Sequence, residues 1–179
     1  MAYYYLIASL PTLHLDEKLP ISRDEFLAAC ENTLTLIDID DIRHILDREP
    51  ERGKHPVIRN WLWREIQLRN AVARERAAKA NVEAEPFQRP YHGFDTYIEK
   101  IAAEAMSKPN PLERELILDK LRWKTTEELA LYDPYGMQAV IAFAFKFTIS
   151  ERWAGLVAEK GEAVVQAFLE QALTDMTHE

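Results

Sequence analysis

Between Pro56 and Asn81 lie twenty-four consecutive residues with neither glycine nor proline. Strands seldom exceed about ten residues. An unbroken run rich in Ala, Leu, Arg, Glu, Gln and Lys therefore predicts one long helix. At 1.5 Å per residue it spans roughly 40 Å, so the remaining elements must pack along it. Pro56 suits the first helical position, where a missing N–H costs nothing. The apolar stripe of this helix is Ile58, Trp61, Leu62, Ile66, Leu68, Val72 and Ala73. Glu65, Arg69 and Arg76 project near the middle of the same stripe. Charges there must be paired or hydrogen-bonded, and Glu65–Arg69 has the favourable i, i+4 order, so a buried ion pair is expected.

The rest of the chain reads the same way. With only 5 glycines among 179 residues, it has few of the turns that a β fold demands. As a strand, "YYYLIASLP" (3–11) would be apolar on both faces. As a short helix it turns Tyr3, Leu6, Ile7 and Leu10 inward, and Pro11 ends it. Tyr4 and Tyr5 are then the residues to test at an interface. Ser22 and Glu25 form a capping box before a face of Phe26, Leu27, Cys30 and Leu34. A third helix is expected to begin in "DIDD" (38–41), where carboxylates complement the helix dipole.

The segment 82–94, with two prolines and a glycine, reads as a hinge between lobes 1–81 and 95–179 of a single domain. Beyond it, helices are expected from Asp95 and from Asn110–Pro111, the latter ending near Trp123. Thr125 with Glu128 suggests a second capping box. "DPYG" (133–136) is a turn, residues 137–158 form a buried helix, and Val164, Val165, Phe168, Leu169, Ala172 and Met176 line a final amphipathic one. The fold class is all-α, a lobed multi-helix bundle.

Composition excludes several functions. A net charge of −8 argues against nucleic-acid binding. Residues 55–81 carry six Arg or Lys against two Glu, but these are spread around the helix rather than set in one stripe. The single cysteine allows no internal disulfide, and a cytoplasmic protein is expected. No basic region precedes the opening apolar run, so a signal peptide is not expected. The longest apolar stretch, 137–149, is too short to span a bilayer and contains Lys146, so direct membrane insertion is not expected.

The five histidines are scattered without i, i+3 or i, i+4 partners. "DIDD" lacks the glycine and distal glutamate of a calcium loop. There is no phosphate-cradling loop, nucleophile elbow or HExxH. Cys30 sits on a core stripe with no histidine beside it. No catalytic residue, metal or cofactor is predicted. The alternative to a structural role is a small-molecule or enzyme pocket at the 82–94 segment, using Tyr91 and His92.

Four segments together, "YYYLIASLP", "LRNAVARERAAKA" (68–80), "NPLERELILDKLRW" (110–123) and "FKFTISERWAGLVAEKG" (145–161), resemble a bacterial family of unassigned activity. Its genes typically lie in V-type (A/V-type) ATPase operons. The likeness runs in the same order over nearly the whole chain. That family is more distantly similar to the funnel-shaped, all-helical coupling component of rotary ATPases, designated C (d in eukaryotes), which joins the central stalk to the membrane ring. The coupling component also opens on a Y-x-Y-L segment, echoed by Tyr3, Tyr5 and Leu6. It carries an acidic–x–x–Asn–…–Arg helix motif, echoed by Asn70 and Arg76. The acidic position is not matched, because Gln67 stands three residues before Asn70. The resemblance implies a non-catalytic, cofactor-free helical part, peripheral to the membrane through an ATPase complex. Its partners would be V-type ATPase subunits of the central stalk or membrane ring. At about half the length of the coupling component, the chain would act as a reduced socket, half of a homodimer, or an assembly or regulatory factor.

Overall fold

A computed structural model describes residues 3–15 and 17–155. Among these are seven α-helices and no strand: α1 (Tyr4–Ser9), α2 (Arg23–Glu31), α3 (Leu36–Leu46), α4 (Pro56–Ala80), α5 (Thr96–Ser107), α6 (Pro111–Ala130) and α7 (Met137–Ala154). The fold is all-α, a multi-helix bundle. The helix expected at 164–176 lies outside the described residues.

Most helix boundaries follow local chemistry. At α2 the Ser22 hydroxyl accepts the Glu25 N–H, and the Glu25 carboxylate accepts the Ser22 N–H at 2.8 Å. Asp95 and Asn110 cap α5 and α6 by accepting the N–H two residues on, at 2.8 and 2.9 Å. Asn81 ends α4 in the left-handed region at φ 55°. Helix α3 begins before the acidic cluster, because Thr35 caps it by accepting the Asp38 N–H. The second capping box does not form, and α6 runs on past Trp123 to Ala130. Thr125 and Thr126 are buried within it. The Thr126 hydroxyl donates to the Arg122 carbonyl at 2.8 Å and accepts the Trp61 indole N–H at 3.3 Å, so it is committed to mid-helix bonds.

Helices α4 and α6 run antiparallel, as the pairs Trp61–Thr126, Glu65–Arg122 and Arg64–Glu128 require. Apolar residues gather at both ends of this pair. The larger core joins α1, α2, α3 and α7 to the first turns of α4 and the last turn of α6, with Phe26, Ile42, Ile58 and Phe147 sealed from solvent. Trp61 stacks on Phe145 with centroids 4.1 Å apart. The smaller core joins Leu68, Ala71 and Val72 of α4 to Ile98, Ala102 and Met106 of α5 and to Leu118 and Leu121 of α6. Each core draws on residues from both sides of 82–94, so the apolar interior divides across α4 and α6 rather than at that segment.

Two amides of α4 tie residues 89–95 down. The Asn70 side chain donates to the Arg89 carbonyl at 2.7 Å and accepts the Arg89 N–H at 3.0 Å. Gln67 does the same to Asp95, at 2.8 and 3.0 Å. Each amide imitates a backbone pair for a stretch that has no helix of its own.

Candidate functional site

Between the two cores lies a layer of charge. The Glu65 carboxylate is buried and accepts from Arg122 Nε at 2.8 Å, Arg122 Nη2 at 3.1 Å and Arg69 Nε at 2.7 Å. Arg122 Nη1 donates to Asp119 Oδ1 at 2.8 Å. The other oxygen of Asp119 accepts from the Trp153 indole at 2.6 Å and from Arg152. Asp119 is wholly buried. The chain therefore places two buried carboxylates on one central guanidinium, with Arg69 and Arg152 as their outer partners. Every described buried side-chain nitrogen and oxygen has a partner. Burial works against the Arg122 charge, but Glu65 and then Asp119 more than offset it and raise its pKa.

The buried ion pair expected between Glu65 and Arg69 is corrected by this geometry. Glu65 is inside, but the Arg69 side chain is 66% exposed and covers the carboxylate from the solvent side. The buried partner is Arg122, 17% exposed and 57 positions away in the chain. Arg76 is also exposed, so only Glu65 of the three stripe charges is interior. Asn70 is buried, held in the amide pair with Arg89.

Two clefts flank the charged layer. One, of about 460 Å3, is lined by Trp61, Asn70, Arg89, Asp119, Phe145 and Arg152 among others. The second, of about 520 Å3, runs along α4 from Leu68 to Ala80 beside α6, and Phe87, Glu115 and Leu118 complete its wall. Neither is lined by Tyr91 or His92, the residues expected to form a pocket. The His92 ring instead lies 5.1 Å from that of Trp63, and Val82, Phe87 and Arg89 are what the 82–94 segment gives to the clefts. Among the described residues no three His, Cys, Asp or Glu side chains gather as metal ligands. The Cys30 thiol is buried, and burial, then Glu31, pushes its pKa up to about 12, far from a nucleophile at neutral pH.

A third surface lies at one end of the bundle. Helix α1 buries Tyr3 and Leu6 and packs Ile7 and Leu10 on the larger core, leaving Tyr4 and Tyr5 outside, Tyr5 at 88% exposure. The Tyr3 N–H donates to the Tyr135 carbonyl at 2.7 Å, which draws the α6–α7 turn against α1. Tyr4 and Tyr135 meet with rings 5.3 Å apart, and Tyr132 of the same turn is 86% exposed. The Tyr3 hydroxyl donates to Asp38 at 2.8 Å, bringing in the first turn of α3, where Leu36 and Ile37 are exposed. Four tyrosines and two aliphatic residues thus collect from three separate stretches of chain.

Compared with protein-family models, curated proteins and solved structures, the chain matches none. No helix among the described residues is long and apolar enough to cross a membrane.

Sequence reasoning passed over Asp119, Arg122, Arg152 and Trp153. A signal was present for the first two, because Asp119 and Arg122 stand at i, i+3 beside Leu118 and Leu121 on one helical face. Charges interleaved with a core stripe mark a buried pair, as Glu65 did on α4.

Proposed function

We propose that this protein is a non-catalytic helical component or accessory factor of a V-type rotary ATPase, contacting the central stalk or the membrane ring. The observation that carries this reading is the exposed aromatic end formed by Tyr4, Tyr5, Tyr132 and Tyr135 with Leu36 and Ile37. A clustered apolar surface of this kind suits a protein partner. Tyrosine is favoured at such contacts because it offers a rigid apolar body with a polar tip. Tyr4 and Tyr5 belong to the same opening segment that resembles the start of the rotary ATPase coupling component. The remainder of the chain acts as a frame: α1 is pinned by Tyr3 to both Asp38 and the α6–α7 turn, so the tyrosines are presented on a fixed scaffold.

Affinity purification of the full chain from its native host tests the reading. The wild type is expected to recover ATPase stalk or ring proteins. The double variant Tyr5→Glu/Tyr132→Glu is expected to lose at least nine-tenths of that recovery with an unchanged melting temperature, since both side chains stand in solvent. Clean recovery of the wild type without any stalk or ring protein overturns the reading, as does a double variant that recovers them in full.

A further inference from the structure

Asn70 does more than anchor the 82–94 segment. Its amide holds the Arg89 backbone through two hydrogen bonds, of 2.7 and 3.0 Å, and so fixes Arg89 close to Arg69, the chain neighbour of Asn70. Both arginines are exposed, and both line the cleft of about 460 Å3. Arg69 gives its Nε to Glu65. Among the described residues, neither its Nη groups nor the Arg89 guanidinium has a hydrogen-bond partner, and no carboxylate pairs with Arg89. The described lining of the cleft holds five arginines against three carboxylates, on a chain of net charge −8. Two of those carboxylates, Glu65 and Asp119, are already engaged by Arg122 and its neighbours. Like charges held side by side repel, and a cleft with a positive excess attracts an anion. The planar fork of arginine suits a carboxylate in particular.

The two clefts adjoin. Arg69, Phe87 and Arg122 line both, and Phe87 stands 66% exposed there. From this junction the second cleft continues along α4 as far as Ala80, about 18 Å from Leu68. Away from the arginines its described wall is Val72, Ala73, Ala77, Ala80, Val82 and Leu118. No hydroxyl or amide side chain stands in that described wall, and its one carboxylate, Glu115, lies 3.7 Å from Arg152. An extended peptide would bring backbone N–H and C=O groups to a wall without partners for them. An alkyl chain makes no such demand.

We propose that the adjoining clefts bind a single-chain amphiphilic anion, a long-chain carboxylate. Its head lies between Arg69 and Arg89, and its chain follows α4 past Ala73 towards Ala80. Arginine chooses the charge of the ligand, and the apolar cleft chooses its length.

Calorimetric titration of the full chain with dodecanoate, kept below its micelle threshold, tests this. One molecule is expected to bind per chain. Affinity is expected to be at least tenfold higher than for dodecyltrimethylammonium, which has the same chain and the opposite charge. Butyrate, with the same head and little chain, is expected to bind at least tenfold more weakly, since each buried methylene adds roughly threefold. Arg89→Gln is expected to weaken dodecanoate at least fivefold without moving the melting temperature of the unliganded protein, because Asn70 holds the Arg89 backbone and not its side chain. Ala73→Leu, which narrows the apolar cleft, is expected to weaken dodecanoate at least fivefold. Should that variant fold poorly, Ala80→Glu at the exposed end is expected to do the same. Equal affinity for the anionic and cationic chains overturns the proposal, as does the absence of binding. So does uptake of several molecules per chain that none of the substitutions alters. Sedimentation with phosphatidylglycerol vesicles that depends on Arg89, without binding of dodecanoate, assigns the arginines to a membrane surface and overturns it too.

Discussion

Arg122 and Arg69 touch the same carboxylate, yet their surroundings set different energies. Arg122 lies between two buried carboxylates and is itself nearly enclosed. Replacing it with Met leaves Glu65 and Asp119 without their shared counter-charge, and breaking a buried pair costs about 3–5 kcal/mol. Arg69 reaches Glu65 from solvent, so Arg69→Ala is expected to cost about 1 kcal/mol or less. Urea unfolding of the two variants checks the ranking, and equal losses would remove Arg122 from the centre of the layer. Tyr3 offers a pH test. Burial, then its hydrogen bond to Asp38 and the charge of that carboxylate, raises the Tyr3 hydroxyl from 10.0 to about 12. The folded state therefore holds this proton more tightly than the unfolded chain. The resulting stabilisation is complete below pH 10 and is lost as pH rises from 10 towards 12. Unfolding midpoints measured near pH 9 and pH 11.5 are expected to fall further for the wild type than for Tyr3→Phe. The Cys30 thiol, shifted in the same direction, is common to both proteins and cancels in the difference.

At the scale of helices, local chemistry was legible and long-range chemistry was not. Ser22–Glu25, Pro56 and Asn110–Pro111 mark real helix starts, because caps act within one turn of the chain. The division of α1 into an inner face of Tyr3 and Leu6 and an outer pair, Tyr4 and Tyr5, also follows from 3.6-residue spacing alone. Thr125–Glu128 has the same pattern as a capping box but occurs inside α6, where Trp61 from a distant turn engages the Thr126 hydroxyl. Likewise, which arginine is the buried partner of Glu65 depends on how α4 and α6 lie side by side, and helical periodicity contains no such information. The pairing of Asn70 with Arg89 is of this kind too. Asn70→Ala removes two hydrogen bonds to one backbone unit. At about 1 kcal/mol each, their loss should speed exchange of the Arg89 amide by an order of magnitude or more. The Asp95 amide, held independently by Gln67, is expected to change little. Hydrogen exchange resolved to single amides separates these outcomes, and an unchanged Arg89 rate would mean that the amide pair does not hold the segment.

Across the described residues, two apolar cores are threaded by the same two helices. Were 82–94 a division of the interior, damage to one core would stay there. Instead α4 supplies Ile58 and Trp61 to the larger core and Leu68 and Val72 to the smaller, while α6 supplies Leu129 to one and Leu118 and Leu121 to the other. A helix cannot melt at one end without exposing unpaired carbonyls and amides at the break, and here the break would fall on the buried Glu65–Arg122–Asp119 layer. Opening that layer to separate the cores costs about as much as breaking a buried pair. The two cores are therefore expected to unfold together. Leu118→Ala creates a cavity in the smaller core and should cost about 2–5 kcal/mol. If the cores are coupled, the slowest-exchanging amides of α3, which touch the larger core alone, are deprotected by the same free energy as those of α5. Deprotection confined to α5 and the second half of α4 would show instead that the charged layer is a boundary at which the molecule comes apart. Pairing Leu118→Ala with Arg122→Met sharpens the measurement: coupling through the layer predicts that the α3 amides lose the leucine's influence once the central guanidinium is gone.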